Sequence, residues 1–386
     1  MAGARTTGKP RASGGRPRGG RRPVRFAVIG QGHFAQAAIL PAFKSADDCE
    51  LVAIFSEDIT KRRALERKYG VTEALTYDQY DAYLRSGHVD AVYIALPNDM
   101  HCEYAVRAAQ AGVHVLTEKP MAQTSEEGTR MIEACADAGV KLMVAYRLHF
   151  EAATLAAIEQ LRRGKLGPPR YFSSTFGMQV RPGNIRTQRA RGGGPLLDLG
   201  IYCINAARYL FRSEPTEAVA FAESRPKDAR FKEIDEQVTA ILRFPEQRTA
   251  QFTCSFGSHD HSSLVVVGDK GRITLEPAYE YASKMVLETE IGDRPPKRTT
   301  FPKRDQIAAE LTAFAACVRT GRDPEPAGDE GLADLRVIEA IERSLKSGKV
   351  EPIDEVPRAR RPSAEQRIDK PPHDMPEVIH AASAGQ

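Results

Sequence analysis

The sequence predicts an α/β protein, with a doubly wound parallel sheet in its N-terminal part and an antiparallel or mixed sheet beyond it. Three observations carry this. Apolar runs of strand length alternate with helical patterns from Val24 to Ala145. The first run opens into a glycine turn, Gly30-Gln31-Gly32, and then a helix. After Gly167-Pro168-Pro169 the alternation stops, and short strands joined by turns follow.

Length and composition set the frame. A chain of 386 residues, 41% hydrophobic, has one to three domains and a sizeable core. No apolar run reaches the length of a membrane span. The formal charge of +4 is carried by a tail: residues 1–22 hold seven Lys and Arg and no acid, which leaves the remainder near −3. The folded body is therefore not expected to bind nucleic acid specifically. Residues 1–22 are too poor in apolar groups to offset ordering entropy and are expected to be a disordered basic arm. Arg21-Arg22 is followed by the first strand and not by an apolar leader, and six scattered cysteines form no C-x-x-C pair. Both features suit reduced thiols in the cytoplasm.

In chain order, Val24 to Ile29 is the first strand, and Gly30-Gln31-Gly32-His33-Phe34-Ala35 reads G-x-G-x-x-A. Gly30 permits the tight turn, Gly32 lets backbone approach a pyrophosphate, and Ala35 allows close helix–strand packing. The helix start at His33 and Phe34 offers N–H groups to phosphates. The second strand, Glu50 to Phe55, ends in Ser56-Glu57-Asp58, with Lys61, Arg62 and Arg63 opening the next helix. An acid here suits the ribose of NAD, whereas a hydroxyl with cations suits the 2′-phosphate of NADP. The balance favours NADP, with Ser56 and Lys61 as ligands and NAD as the alternative; Asp58 and Arg63 read as cap and solvated face.

Tyr77 to Leu84 reads as a helix and Val89 to Leu96 as a buried strand. The strand ends in Pro97-Asn98-Asp99-Met100-His101, so Leu96, Asn98 and His101 stand at a strand-to-helix junction. Asn98 and His101 suit contacts to a nicotinamide ribose or a substrate; local bonding within the first helical turn is an equal reading of His101. The helix runs to Ala111, and Val113 to Leu116 is the next strand. Glu118-Lys119-Pro120 then sits where a parallel sheet binds its ligands. An ammonium at Lys119 can act on a substrate there, and Pro120 suits a cis turn; in isolation the tripeptide also reads as a surface turn. Thr124 or Ser125 caps a helix with Met131, Ala134, Cys135 and Ala138 on its inner face, and Lys141 to Ala145 is the last strand of the alternation.

A helix from Glu151 to about Arg163 opens the second part. Strands are expected at Arg170–Phe176, Glu217–Glu223, Gln237–Phe244, Thr249–Ser255, Leu264–Val267, Arg272–Glu276 and Lys284–Glu288, and helices at Gln306–Arg319 and Leu332–Gly348. From Val350 the chain is rich in Pro and Arg and is expected to be extended, on the body or on a neighbouring subunit. A glycine loop at Gly192-Gly193-Gly194 leads into a helix carrying Asp198 and Tyr202, four apart and so on one face. They read either as a proton-transfer pair in a cleft or as a cap and a core residue. Asn184, Arg186 and Arg189 read as hydroxyl or phosphate ligands, or as solvated side chains.

Taken together, the G-x-G-x-x-A turn, Leu96-Pro97-Asn98 with His101, Glu118-Lys119-Pro120 and Asp198-x-x-x-Tyr202 resemble the glucose-fructose oxidoreductase/inositol dehydrogenase (Gfo/Idh/MocA) family over residues 24–350. Tyr146-Arg147-Leu148-His149-Phe150-Glu151 and Gly192 to Tyr209 resemble its glucose-fructose oxidoreductase branch. The resemblance implies a Rossmann domain with a doubly wound parallel sheet at 23–148. It also implies an α+β domain with a large open, mostly antiparallel sheet at 149–350, and a tail at 351–386. It implies hydride transfer between NAD(P) and a sugar or cyclitol, and a homodimer or homotetramer formed through the open sheet. Lys119, Asp198 and Tyr202 would be the catalytic set, with Tyr146 and Arg147 near nicotinamide and substrate and Glu118 at the cofactor. Glu57 stands where the branch often has glycine. In this scheme Tyr202 takes the hydroxyl proton; an unperturbed phenol titrates near ~10, and the Lys119 ammonium favours its ionised form. Two other readings stay open: a redox-neutral sugar enzyme that recycles its nicotinamide, and a non-catalytic NADP-binding sensor.

Overall fold

In the computed structural model, residues 22–358 and 360–385 are described; of the expected basic arm only Arg22 falls among them. Six parallel strands form the first sheet: β1 (Val24–Ile29), β2 (Cys49–Phe55), β3 (Glu73–Leu75), β4 (Ala91–Ile94), β5 (His114–Thr117) and β6 (Leu142–Val144). Their order is β3-β2-β1-β4-β5-β6. Ala91 to Ile94 is buried at every position, as a strand covered on both faces must be. The order reverses between β1 and β4, and an open sheet of this kind binds ligands in the crevice at that reversal. Gly30 occupies it with φ +93°, and a Cβ there would lie 2.5 Å from the Ala95 carbonyl oxygen. Only glycine fits.

The second sheet has nine strands: β7 (Pro169–Gln179), β8 (Glu217–Glu223), β9 (Gln237–Phe244), β10 (Arg248–Ser255), β11 (Gly257–Gly268), β12 (Gly271–Glu276), β13 (Met285–Ile291), β14 (Lys297–Phe301) and β15 (Glu351–Pro352). The order is β14-β13-β12-β11-β7-β10-β9-β8-β15, antiparallel throughout except where β7 lies parallel to β10. One face is covered by the helix Gly328–Ser347, which packs on β8, on β6 and on the helices Ser125–Asp137 and Ile201–Phe211. The core is thus continuous from one sheet to the other. The opposite face leaves Tyr171, Ile241 and Phe221 exposed, and Phe221 is 70% accessible.

Several elements differ from expectation, among them the short strands Glu73–Leu75 and Glu351–Pro352, which the apolar pattern does not mark. Lys297–Phe301 pairs with β13 although its sequence, Lys-Arg-Thr-Thr-Phe, has little apolar alternation; it is an edge strand, where charge is tolerated. The strand expected at Leu264–Val267 begins at Gly257, and its first half is exposed and polar. The last long helix starts at Gly328, not Leu332, and buries Gly328, Glu330 and Gly331.

The C-terminal segment is extended, as expected, and lies on the body. Arg358, with a side chain 1% exposed, pairs with Glu330 at 2.5 Å and Asp329 at 3.0 Å, and Arg361 pairs with Glu214 at 2.8 Å. Further along, the segment meets the helical turn after Gly32. Pro41 has no N–H to give the Ala37 carbonyl, the bond an α-helix would make. The turn is π-helical over Ala35–Ile39, and His373 Nε2 donates to Ala37 O at 3.1 Å instead. Gln36 exchanges side-chain bonds with the Ile379 backbone at 2.7 and 2.9 Å, and His380 meets Asp58 at 2.8 Å. Arg181 N then donates to Ala384 O at 2.9 Å. The segment therefore runs from the first sheet's glycine turn to the end of β7.

Candidate active site

A cleft of about 740 Å³ opens at the carboxyl ends of β1, β4 and β5 and is closed on its other side by residues of the second part. Its size suits a small-molecule site. His33 and Phe34 line it from the glycine turn, Leu96 and Asn98 from the end of β4, and Glu118 and Lys119 from the end of β5. Arg147 lies beyond β6, and Asp198 and Tyr202 come from the helix after the glycine loop. Ser383, Ala384 and Gly385 of the C-terminal segment complete the wall.

At the centre, Lys119 Nζ donates to Asp198 Oδ1 at 2.9 Å and to the Asp198 carbonyl at 2.9 Å. The Lys119–Pro120 peptide is cis. Arg186 Nε donates to the second carboxylate oxygen at 2.7 Å. Burial works against charge on Asp198, but Arg186 and Lys119 hold its carboxyl far below the usual range. Burial likewise works against the Lys119 ammonium, and Asp198, with Tyr202 and Glu118, lifts it above its ordinary value. Lys119 Nζ lies 4.8 Å from the Tyr202 ring centroid and the Arg147 guanidinium 5.0 Å. Arg147 is fixed by Gln306 Oε1 at 2.5 Å and the Tyr279 carbonyl at 2.7 Å. Asp198 and Tyr202 both line the cleft. The arrangement offers a phenol, an ammonium and an ionised carboxylate to one small volume.

Glu118 Oε1 accepts from Tyr93 Oη at 2.8 Å and Oε2 from the Lys119 N–H at 3.2 Å. Asn98 Nδ2 donates to Gly192 O at 2.8 Å, tying the end of β4 to the glycine loop. Two sequence candidates sit elsewhere. His101 is fully buried, with its ring nitrogens 2.9 Å from the carbonyls of Pro120 and Leu96. It braces the two strand-end turns and does not face the cleft. Tyr146 is buried too; its hydroxyl donates to Asp334 at 2.6 Å and its ring stacks on His149, so it points into the protein.

The dinucleotide fit can be tested on the chain itself. A Cβ on Gly32 would meet no protein atom within 4 Å, so internal packing does not require glycine there, while the approach of a phosphate group would. At the end of β2, Ser56 is buried, its Oγ accepts from Asp58 N at 3.3 Å, and Arg62 Nη1 reaches Ser56 O at 3.0 Å. Glu57 is turned away, accepting from Tyr77 N at 2.7 Å, and Asp58 caps the helix Ile59–Tyr69 through Lys61 N at 2.9 Å. The acids that would oppose a 2′-phosphate are thereby engaged, and Lys61 stands at the helix start. These residues fit NADP.

Sequence reasoning left Arg186 among open alternatives and did not find the Arg191–Asp99 pair at 2.5 Å, which ties the loop before Gly192 to the end of β4. Arginine-rich loop sequence gives no signal of which guanidinium turns inward. Neither Tyr93 nor Glu310, which meets the same phenol at 3.1 Å, carries a motif.

Comparison with known proteins gives the family. The description "Oxidoreductase family, NAD-binding Rossmann fold" matches residues 24–146, and "GFO/IDH/MocA C-terminal domain" matches residues 154–274. An NADP-dependent D-xylose 1-dehydrogenase of Haloarcula marismortui is 31% identical over 83% of this chain and 90% of its own. Aldose-aldose oxidoreductase from Caulobacter crescentus, crystallised with glycerol, superposes with a TM-score of 0.82 at 36% identity, covering 86% of this chain and 100% of its own. A 3-ketoreductase from Actinomadura kijaniata, in complex with NADP and TDP-benzene, gives 0.76 at 28% identity, over 83% and 98%. With both family models matched and relatives above 30% identical over more than four-fifths of its length, this chain belongs to the Gfo/Idh/MocA family of NAD(P)-dependent oxidoreductases.

Proposed function

We propose that the protein is an NADP-dependent sugar oxidoreductase that oxidises an aldose at C1 to a lactone, with NAD as the weaker cofactor. The observation that supports this best is the meeting of Lys119, Asp198 and Tyr202 on one wall of the dinucleotide cleft. When bound, the dinucleotide supplies the hydride acceptor. Gly30, Gly32, His33, Phe34, Leu96, Asn98, Glu118 and Arg147 hold it, and Ser56 and Lys61 receive its 2′-phosphate. Tyr202 takes the substrate hydroxyl proton, with Lys119 Nζ 4.8 Å from its ring centroid, and Asp198 orients Lys119. Cofactor reduction against aldoses, cyclitols and sugar phosphates tests the reading. Tyr202→Phe is expected to lose roughly 10²–10⁴-fold in kcat, and wild-type turnover in that variant would exclude the role.

A second reading has the cofactor reoxidised in place by a second sugar. It is favoured by Ser383–Gly385, which add a wall from the C-terminal segment to the cleft, and by the relative named aldose-aldose oxidoreductase. Product analysis with two aldoses and no added cofactor separates the two. The divisions 1–22, 23–148, 149–350 and 351–386 serve as working domain boundaries. The exposed sheet face with Phe221, Ile241 and Tyr171 is the surface we assign to a homodimer or homotetramer. Free thiols at all six cysteines support a cytoplasmic setting, and no helix among the described residues is long and apolar enough to cross a membrane.

A further inference from the structure

Behind the cleft, the buried phenol of Tyr93 stands between two carboxyl groups. Its oxygen is 2.8 Å from Glu118 Oε1 and 3.1 Å from Glu310 Oε1. Tyr93 and Glu310 are both fully buried. A phenol has one proton to donate and lone pairs to accept with, whereas an ionised carboxylate only accepts. If both acids were ionised, one of the two contacts would set oxygen against oxygen with no proton between. One carboxyl therefore carries a proton. Burial pushes the Glu118 carboxyl up too, but Glu118 is the poorer host for the proton: its second oxygen accepts the Lys119 N–H at 3.2 Å, and the Lys119 ammonium and Arg147 both favour its charge. Glu310 has less support. Its Oε2 is buried without a partner among the described residues; burial, with the acids Glu118 and Asp305, opposes its ionisation, and the Tyr93 hydrogen bond and Arg147 favour it without reversing the upward direction. An unpartnered carbonyl oxygen is far cheaper to bury than an unpartnered carboxylate oxygen.

We infer that Glu310 is a positioning residue, a neutral carboxylic acid that donates to Tyr93 and so aims the Tyr93 proton at Glu118, fixing that carboxylate beside Lys119 on the cleft wall. The chain of donors is Glu310 Oε1–H to Tyr93 Oη, and Tyr93 Oη–H to Glu118 Oε1. Sequence gives no hint of it, because β4, β5 and the helix Gln306–Thr320 meet only in the fold.

The activity consequence rests on the proposed dehydrogenase reading; the protonation does not, and it is tested first. Infrared spectra of the full chain above neutral pH should show the carbonyl stretch of a protonated carboxylic acid, and the wild-type minus Glu310→Gln difference should isolate it. Tyr93→Phe, which removes the acceptor of that proton, should shift the band. Absence of the band from wild type, or its persistence unchanged in Glu310→Gln, overturns the inference whatever the enzyme's activity. In kinetics, the glutamine amide keeps a donor for Tyr93 and alanine does not. Glu310→Ala should therefore lose about 10-fold in kcat, the worth of roughly one buried hydrogen bond, with recovery in Glu310→Gln. Equal losses in both variants, with unchanged circular dichroism, would show that the donor plays no part.

Discussion

Replacing Asp198 with asparagine keeps the shape of the cleft wall and removes its one carboxylate with two cationic partners. Lys119 and Arg186 each give that carboxylate a charge-assisted bond, at 2.9 and 2.7 Å, and such bonds contribute about 1.5–3 kcal/mol each. Asparagine offers one carbonyl oxygen, so one donor keeps a weaker partner and the other faces an amide N–H. A net loss of about 3 kcal/mol in positioning follows, or ~10²-fold in kcat at 1.36 kcal/mol per decade. The pH profile should move as well. Burial lowers the Lys119 ammonium and Asp198 lifts it; with the anion gone, lysine loses its proton at lower pH and the alkaline limb shifts downward. The acid limb should stay in place, because Asp198 remains ionised far below the usual carboxylate range in the wild type. The assay is cofactor reduction by an aldose across pH, with circular dichroism to verify folding. Wild-type kcat and an unmoved alkaline limb in Asp198→Asn would refute the assigned role of the carboxylate.

Three further outcomes are expected. Gly30→Ala places a Cβ 2.5 Å from the Ala95 carbonyl at a left-handed φ and should lower stability by roughly 1–3 kcal/mol, the scale of a strained backbone site, read in thermal unfolding. Gly32→Ala meets no protein atom, so it should melt like wild type yet bind NADP more weakly in titration calorimetry. His373 tests the C-terminal segment. Its Asp305 partner, helped by the Ala37 carbonyl, raises it above its ordinary value, against burial and Lys303. Its stabilising contribution is then complete below the unfolded value of ~6.5 and is lost as pH rises through the folded value. Proteolysis of the segment, relative to His373→Gln, should reveal protection at low pH that fades in that window.

Much of the site was legible because strand-end chemistry is local. The glycine turn, Leu96 to His101, and Glu118-Lys119-Pro120 each follow a strand that the apolar pattern already marks, and all three lie on one edge of the sheet. Side-chain direction was not legible. Tyr146 follows β6 just as the other candidates follow their strands, yet its hydroxyl goes to Asp334, 188 residues away. His101 has carbonyls on both sides that only the folded turns bring together. Glu57 stood as the alternative, a ribose ligand for NAD, and only the fold brings Tyr77 N, 20 residues on, to its carboxylate. Such partners are set by tertiary packing and leave no periodicity behind.

The C-terminal segment has a thermodynamic consequence. It anchors on the glycine-turn helix through Gln36 and Ala37, meets the end of β2 at Asp58, and finishes against Val180 and Arg181 beside the cleft. On the cofactor placement proposed above, dinucleotide and segment would meet the same stretch of backbone, and their binding equilibria would then be linked. By reciprocity, the factor by which bound NADP changes docking of the segment must equal the factor by which the docked segment changes NADP affinity. Cofactor exchange and segment release become two readings of one free energy, so the rate at which a protease clips residues 371–385 reports on cofactor occupancy without any turnover being observed.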